Sequence, residues 1–181
     1  MRKWKNRYLG RKAVICCNGP SLNNVDFDEM SGIFSIGLNK INLLFSRSSF
    51  RPSCIVSINK FVIEQNSDFF NETEIPLFIG NSGVAAIKSR ENVNFVHTVP
   101  SSIFSTDASL SVGENATVTN VALQIAFYLG FRQVAIVGAD HNYSQAGKPN
   151  ETVKASGDEL NHFDPNYFPA GVSWQLADLA Q

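Results

Sequence analysis

The chain has 181 residues, of which 44% are hydrophobic and 17% charged, and its formal net charge at neutral pH is −1. A chain of this length and apolar content has the size of one globular domain with a sizeable core, which excludes a disordered protein. The three cysteines, Cys16, Cys17 and Cys54, form neither an even set nor a Cys-x-x-Cys pair. We therefore predict buried thiols in a reducing compartment, and no disulfide or zinc site.

Basic residues are concentrated at the amino terminus, where six of the fifteen Lys and Arg residues lie within the first twelve positions. The rest of the chain is acidic, which argues against nucleic-acid binding, because that affinity comes mainly from basic groups. Residues 1–11 are predicted to form a basic helix with Trp4 and Tyr8 four positions apart. Such a helix suits either an ordinary solvated first helix or a peripheral contact with an anionic membrane or partner.

No stretch of the sequence reaches the run of about 18 apolar residues that a membrane-spanning helix needs. The amino terminus also lacks the apolar core of a secretion signal. We expect a cytoplasmic protein, with peripheral contact to the inner membrane as an alternative.

Short apolar runs bounded by turn residues predict six buried strands. Because these runs are apolar on both faces, they predict a mostly parallel central sheet covered by helices, in an α/β three-layer sandwich. The runs are residues 13–17, 33–38, 54–58, 77–79, 94–99 and 134–137.

The clearest helix is predicted over Val118–Leu129, where apolar residues recur at four-residue spacing. Thr117 can cap its start and Gly130 can end it. Its return into the strand at 134–137 makes half of a βαβ unit.

Residues 141–170 are rich in His, Asn, Pro, Asp and Gly and show almost no periodicity. A structureless stretch of this length in a compact domain is more often functional or mobile than filler, so we predict a functional loop. No helix long enough to cover the last strand follows it. We expect residues 1–181 to be a single domain that is truncated at its carboxyl terminus.

The first candidate site is the loop Asn18-Gly19-Pro20-Ser21, which follows the first predicted strand. Ligands of open parallel sheets collect outside the carboxyl ends of the strands, and a glycine there lets the backbone approach a phosphate. The loop is neither a Gly-x-Gly-x-x-Gly fingerprint nor a Walker loop, so hydride transfer and ATP hydrolysis lose their main support. A plain turn is the structural alternative.

Two further predicted strands end in asparagine, at Asn39 and Asn59. A side-chain amide at a strand end can donate and accept hydrogen bonds, which suits a base edge, a ribose or a sugar hydroxyl. An Asx turn that leaves the strand is the alternative for each of them.

The third candidate is the segment Gly138-Ala139-Asp140-His141-Asn142-Tyr143, at the end of the last predicted strand. A carboxylate and an imidazole at the mouth of a parallel sheet can serve as metal ligand, ribose anchor or general base. His162 and Tyr167 lie in the loop downstream and can fold back toward it. The spacing is not that of a metal site, and we predict no structural metal.

Four stretches of the sequence together resemble a known family. These motifs, at residues 13–22, 36–41, 115–124 and 138–141, resemble the uncharacterised bacterial branch of the 6-hydroxymethylpterin diphosphokinase-like (MptE-like) family, over residues 8–168. The Asn-Gly-Pro-Ser element, the asparagine that ends the next strand and the Gly-x-Asp after the helix also resemble bacterial lipooligosaccharide sialyltransferases. This second resemblance implies a Rossmann-like fold that binds a CMP-sugar at the strand ends and uses a histidine base without a metal.

The resemblance also implies roles for individual residues. Asn18, Gly19 and Ser21 would contact the nucleotide phosphate and ribose, while Asn39 and Asn59 would face the nucleotide or the donor sugar. His162 or His141 would be the base, and Tyr143 or Tyr167 would steady the departing phosphate. The predicted nucleotide-binding set is Asn18, Gly19, Pro20, Ser21, Asn39, Asn59, Thr117, Gly138 and Asp140, and the predicted catalytic set is His162, His141, Asp140, Tyr143 and Tyr167.

Three functions follow as expectations. The first is a glycosyltransferase-like domain in surface glycan or polysaccharide biosynthesis, which takes a CMP-sugar or other nucleotide donor and a small-molecule or glycan acceptor. The second is a magnesium-dependent diphosphokinase that moves diphosphate from ATP onto a hydroxymethylpterin, with Asp140, Asp158 and Asp164 as plausible ligands. The third is a non-catalytic nucleotide-binding module, and a homo-oligomer is compatible with each of them.

Overall fold

The computed structural model describes residues 1–115, 117–142, 147–148, 151–157 and 160–176. Its strands are β1 Lys12–Cys16, β2 Phe34–Leu38, β3 Cys54–Ser57, β4 Leu77–Gly80, β5 Val93–Val96, β6 Thr98–Val99, β7 Val112–Gly113, β8 Gln133–Val137, β9 Thr152–Lys154 and β10 Ser173–Gln175, and helix α3 spans Val118–Leu129. Six of the strands form a central, all-parallel sheet in the order β5-β4-β3-β2-β1-β8. Two small sheets pair β6 with β7 and β9 with β10.

Both faces of the sheet are covered, as the apolar runs predict. Ala13 and Ile15 of β1 pack toward the long helix α3, whereas Val14 and Cys16 pack toward the opposite layer. This alternation buries four consecutive residues of one strand and confirms the α/β three-layer sandwich. The helices are α1 Lys60–Gln65, α2 Ser67–Glu72 and α3 Val118–Leu129, and short 3-10 turns lie at Arg2–Trp4, Pro20–Asn24, Asp28–Met30, Ile41–Ser46 and Asn81–Gly83.

Helix α3 has the predicted bounds and the predicted ends. Thr117 Oγ1 accepts a hydrogen bond from the Thr119 amide at 3.2 Å, and Gly130 adopts the left-handed conformation with φ of 108°. A side chain at Gly130 would also meet the Leu9 backbone nitrogen at 2.8 Å. The helix therefore ends where the chain needs a residue without a Cβ atom.

The run at residues 94–99, predicted as one strand, divides into β5 and β6. The amide and the hydroxyl of Thr98 both donate to Asn81 Oδ1, at 3.0 and 2.8 Å. Strand β5 ends at Val96, two residues before Thr98. Strand β6 pairs with β7 instead of with the central sheet.

The three cysteines are buried free thiols, as predicted. Burial raises the pKa of the Cys16 thiol to about 12, with a smaller contribution from Cys17. Burial likewise raises the pKa of Cys17 and of Cys54. All three sulfurs are therefore protonated at neutral pH.

The amino-terminal segment differs from the prediction. In place of a helix over residues 1–11, it forms one 3-10 turn at Arg2–Trp4. Trp4 is 7% exposed, and its indole Nε1 donates to Asn94 Oδ1 at 2.9 Å. Trp4 thus attaches the segment to the core, and Asn94 of β5 supplies the buried acceptor that its indole N–H needs.

Part of the predicted functional loop at residues 141–170 forms a strand. Its residues Thr152–Lys154 form β9, which pairs antiparallel with β10. Tyr143 and Asp158, two of the predicted site residues, lie outside the described residues. Among the described helices, none combines the length and the apolar character needed to cross a bilayer.

We expect Trp4→Ala to lower the free energy of unfolding by about 3–5 kcal/mol, because it removes a buried indole and leaves a cavity. Urea denaturation followed by circular dichroism measures this change. Arg2→Ala, an exposed neighbour in the same turn, is the matched control and should change stability by no more than about 0.5 kcal/mol. Equal effects of the two substitutions would contradict the placement of Trp4 in the core.

Candidate functional site

The site lies where the order of the strands reverses. The chain runs from β1 through β2 to β5 on one side and returns to place β8 on the other side of β1. Loops that leave β1 and β8 therefore diverge, and a crevice opens between them at the carboxyl ends of the strands. One cavity occupies this crevice, and its lining comes from the ends of β1, β2 and β8, from the start of α3 and from the segment around His162.

The backbones of the two diverging loops stay paired for a short distance beyond the strands. The Cys17 amide donates to the Val137 carbonyl at 2.9 Å, and the Gly19 amide donates to the Gly138 carbonyl at 2.8 Å. Gly138 has a φ of 69°, and a Cβ atom there would meet the Cys17 carbonyl oxygen at 2.8 Å. This position therefore requires glycine both for its conformation and for its close neighbour.

Asp140 clamps the loop after β1. The Ser21 amide donates to Asp140 Oδ2 at 2.7 Å, and the Ser21 hydroxyl donates to Asp140 Oδ1. A Cβ atom on Gly19 would lie 2.5 Å from Asp140 Oδ2 and 2.7 Å from the Gly138 carbonyl oxygen. Only a residue without a Cβ atom therefore leaves room at position 19 for the two bonds between Ser21 and Asp140. Pro20 opens the 3-10 turn that presents Ser21, at a position where its missing N–H costs nothing.

Asn18 presents an unsatisfied polar atom to the cavity. Its side chain is 8% exposed, and among the described residues no donor reaches its Oδ1. A buried acceptor without a partner is costly, so it is typical of a position that a ligand completes. The Asn18 carbonyl oxygen meanwhile accepts from the Phe163 amide at 2.9 Å. This bond brings the segment that carries His162 against the loop after β1.

The two other asparagines have different environments. Asn39 adopts the left-handed conformation with φ of 48°, lines the cavity, and accepts a hydrogen bond from the Ser57 hydroxyl at 3.1 Å. Asn59 caps α1 by accepting from the Val62 amide at 3.2 Å, and its amide nitrogen donates to Gln175 Oε1 at 3.1 Å. The side-chain carbonyl of Asn59 therefore has the structural role of an N-terminal cap of α1.

His162 is held between aromatic rings. Its imidazole stacks on the Tyr167 ring at 3.8 Å with an interplanar angle of 5°, and the Phe168 ring meets its edge at 5.3 Å. Tyr167 is only 1% exposed, so its ring is a rigid support for the imidazole. His162 and Tyr167 both line the cavity, together with Asn18 and Asn39.

The segment after β8 contributes Asp140 and His141, which both line the cavity. His141 is exposed and has a φ of 49°. The structure thus brings two imidazoles and one carboxylate to one cavity from parts of the chain that are some twenty residues apart. His162 is the half-buried, stacked imidazole, and His141 is the exposed one.

The amino terminus of α3 provides the electrostatics of the site. Thr117, Val118 and Thr119 line the cavity at the start of this helix of 12 residues. The first amides of a helix have no intrahelical acceptor and carry the positive end of the helix dipole, which favours an anion. Cys17 Sγ lies 3.5 Å from Thr119 Oγ1 at the same place.

A second cavity adjoins the first and shares five lining residues with it, namely Asn39, Thr117, Val118, His162 and Tyr167. Its other walls are a mixture of apolar, amide, aromatic and charged side chains. They come from Ile58, Asn59, Lys60, Val62, Glu114, Phe168, Trp174 and Gln175.

The described residues contribute little to a metal centre. No three His, Cys, Asp or Glu side chains among them cluster as metal ligands do. Asp140 lines the cavity with both of its oxygens turned to Ser21, and Asp164 accepts from the Asn166 amide in its own loop. A magnesium ion at this site would therefore take most of its ligands from the phosphates of a nucleotide and from water.

Several residues of the site carry no motif of their own. Sequence reasoning misses Cys17, Leu38, Val118, Thr119 and Asn161 among the lining residues. Four of these five adjoin a predicted site residue in the sequence, and Thr119 lies two positions after Thr117. The only signal in the sequence that could have identified these residues is their position beside a strand end or a helix start.

Comparison with known proteins agrees with the first of the two resemblances. A family model described as 6-hydroxymethylpterin diphosphokinase MptE-like matches residues 1–146. The chain belongs to the MptE-like family. No curated protein and no solved structure matches it. The similarity to sialyltransferases stays a prediction from the motifs alone.

The environment of Asn18 predicts an unusual response to substitution. We expect Asn18→Leu to leave the free energy of unfolding unchanged or to raise it by about 1 kcal/mol, because it removes a buried unpaired acceptor. Asn94→Leu is the matched control, since Asn94 is 6% exposed and is bonded to both Trp4 Nε1 and the Leu77 carbonyl. Asn94→Leu should lower the free energy of unfolding by about 2–3 kcal/mol, because it leaves both partners buried without a hydrogen bond.

Urea denaturation of the ligand-free variants measures both free energies. A loss of stability in Asn18→Leu as large as that in Asn94→Leu would mean that Asn18 has a structural partner and that its Oδ1 does not await a ligand.

Proposed function

We propose that this protein is a transferase that moves a group from a nucleotide donor to the hydroxyl of an acceptor, with a nucleoside monophosphate as the leaving group. The observation that carries the proposal is the convergence of the Gly19 loop, the α3 amino terminus and His162 on one cavity. These are, respectively, a backbone that tolerates close approach, a positive pole and a base.

The donor binds on the side of β1 and α3. Its phosphate lies against the loop of Gly19 and the amino terminus of α3, where the positive end of the helix dipole favours negative charge. Asn18 Oδ1 accepts a hydrogen bond from a hydroxyl of the ribose or from an amino group of the base. Asp140 holds the loop in this form through Ser21.

The acceptor binds on the side of the second cavity, and His162 lies between the two sides. His162 takes the proton of the acceptor hydroxyl, whose oxygen forms a bond to the transferred group. The bond from that group to the nucleotide phosphate oxygen breaks, and its electron pair leaves with the nucleoside monophosphate. The α3 amino terminus stabilises the charge that develops on the leaving phosphate.

Diphosphate is the transferred group that membership of the MptE-like family supports. In that case the donor is ATP, the acceptor is a hydroxymethylpterin and the leaving group is AMP. Magnesium would supply charge neutralisation of the ATP phosphates, and Asp140 is the carboxylate in the cavity that could hold it.

A sugar is the second candidate for the transferred group, and the lining of the second cavity favours it. The amide side chains of Asn39 and Gln175 line this cavity together with the Trp174 ring, while both polar atoms of the Asn59 side chain are bonded within the protein. Amides that match hydroxyl groups and a ring that covers an apolar face suit a sugar. This reaction needs no metal for charge neutralisation of a triphosphate.

Nucleoside monophosphate release tests the proposal and separates the two groups. The protein is incubated with ATP and a hydroxymethylpterin, and separately with CMP-sugars plus glycan acceptors, each with and without magnesium. AMP release that depends on magnesium supports diphosphate transfer, and CMP release without it supports sugar transfer. A thermal shift with nucleotide but no turnover would indicate the non-catalytic module instead.

Substitution of the histidines tests the base. We expect His162→Gln to lower kcat by about 10²–10⁴-fold, because general base catalysis is worth that much, with nucleotide affinity changed less than about threefold. His97→Gln, at an exposed histidine outside the cavity, is the control and should behave as the wild type. Full activity in a protein that lacks both His162 and His141 would show that neither is the base.

Gly19→Ala tests the donor side. Its Cβ atom would displace the Asp140 carboxylate, so the nucleotide dissociation constant should rise by about tenfold or more. Isothermal titration with the active nucleotide measures the change. An unchanged constant would place the nucleotide elsewhere.

A further inference from the structure

A lysine ammonium is buried directly behind the candidate site. Lys40 follows Asn39 at the end of β2 and is only 6% exposed. Its Nζ donates to the Tyr167 carbonyl at 2.6 Å and to Gln65 Oε1 at 2.7 Å. Burial of a charged group is costly, and it persists only where hydrogen bonds compensate it.

Lys40 lines neither of the two cavities, although its neighbour Asn39 lines both. Its ammonium lies 5.4 Å from the centre of the Tyr167 ring and 5.0 Å from that of the Phe168 ring. These two rings also contact the His162 imidazole. Lys40 is therefore separated from the cavity by the same aromatic residues that hold the imidazole in place.

The contacts of Lys40 connect three parts of the chain. Lys40 lies two residues after the end of β2, Gln65 ends α1, and Tyr167 belongs to the segment that carries His162. The Gln65 amide nitrogen also donates to the Ser173 carbonyl of β10 at 2.7 Å. One ammonium and one amide thus attach the whole segment of 160–176 to the body of the domain at two points.

We infer that Lys40 is a positioning residue for the reaction, which sets the place of His162 by fixing Tyr167 and Phe168. This inference rests on the proposed function, in which His162 is the base. Proton transfer requires the base within hydrogen-bond distance of the acceptor hydroxyl, and a misplacement of about 1 Å can cost about 10²-fold in rate. A stacked imidazole moves with the ring beneath it, so loss of the Lys40 bonds displaces the base.

Lys40→Met tests the inference, because methionine keeps the length of the side chain and removes the charge and the donors. Lys88→Met is the control, since Lys88 is exposed and lines neither cavity. We expect Lys40→Met to lower kcat by about 10–100-fold and to change the nucleotide dissociation constant by less than about threefold. Lys88→Met should leave both unchanged.

Amide hydrogen exchange supplies a readout that does not need activity. In Lys40→Met, exchange of the amides of Phe163 and Tyr167 should accelerate by about tenfold or more, because the segment opens more often. Amides of β1 and α3 should keep their wild-type rates. If the wild type shows no turnover with any donor, the proposed function fails, and the exchange result still decides whether Lys40 holds the segment.

Gln65→Leu is a second variant, which keeps the inference testable if Lys40→Met does not fold. Gln65 is exposed, so its substitution leaves the core intact while it removes one partner of Lys40 and the bond to Ser173. It should reproduce the same pattern with a smaller loss of kcat, about twofold to tenfold. Accelerated exchange with an unchanged kcat, or unchanged exchange in both variants, would overturn the positioning role.

Discussion

The candidate site depends on the parallel pairing of β1 with β8. These neighbours are joined to the rest of the chain in opposite directions, since β2 lies on one side of β1 and β8 enters on the other. Their loops must therefore separate. The hydrogen bonds from the Cys17 amide to Val137 and from the Gly19 amide to Gly138 set the spacing between the two loops. The Ser21–Asp140 clamp and the cavity beside it follow from this spacing.

The second support of the site is the segment that carries His162. It reaches the site through the bond between the Phe163 amide and the Asn18 carbonyl, and it is anchored from behind by Lys40. The rings of Tyr167 and Phe168 are buried in the same core cluster as α1 and α2. A long irregular segment can therefore place an imidazole with the precision that is otherwise typical of a helix or strand.

The chemistry of the site is more general than the name of the family. An open parallel sheet hosts many reactions, so the fold by itself does not select one. Transfer of diphosphate from ATP and transfer of a sugar from a nucleotide sugar share an attacking hydroxyl, a base and a nucleotide phosphate that leaves. In the proposed function, a glycine loop, a helix amino terminus and a supported imidazole would serve both reactions, and the groups that line the second cavity would distinguish the acceptors.

Local patterns in the sequence were sufficient for the elements that form the site. Apolar runs predict the six strands of the sheet, and four-residue spacing with Thr117 and Gly130 at the ends predicts α3 with its bounds. Position after a strand selects Asn18, Gly19, Asn39 and Asp140. The predicted strands and helix are confirmed because each signal depends on residues within one or two turns of each other, while the roles of the four site residues stay predictions.

What only the tertiary structure decided depends on partners far apart in the chain. Trp4 joins the core through Asn94, 90 positions away, and Lys40 meets Tyr167 across 127 positions. No periodicity records such pairs, because they arise when separately formed elements pack together.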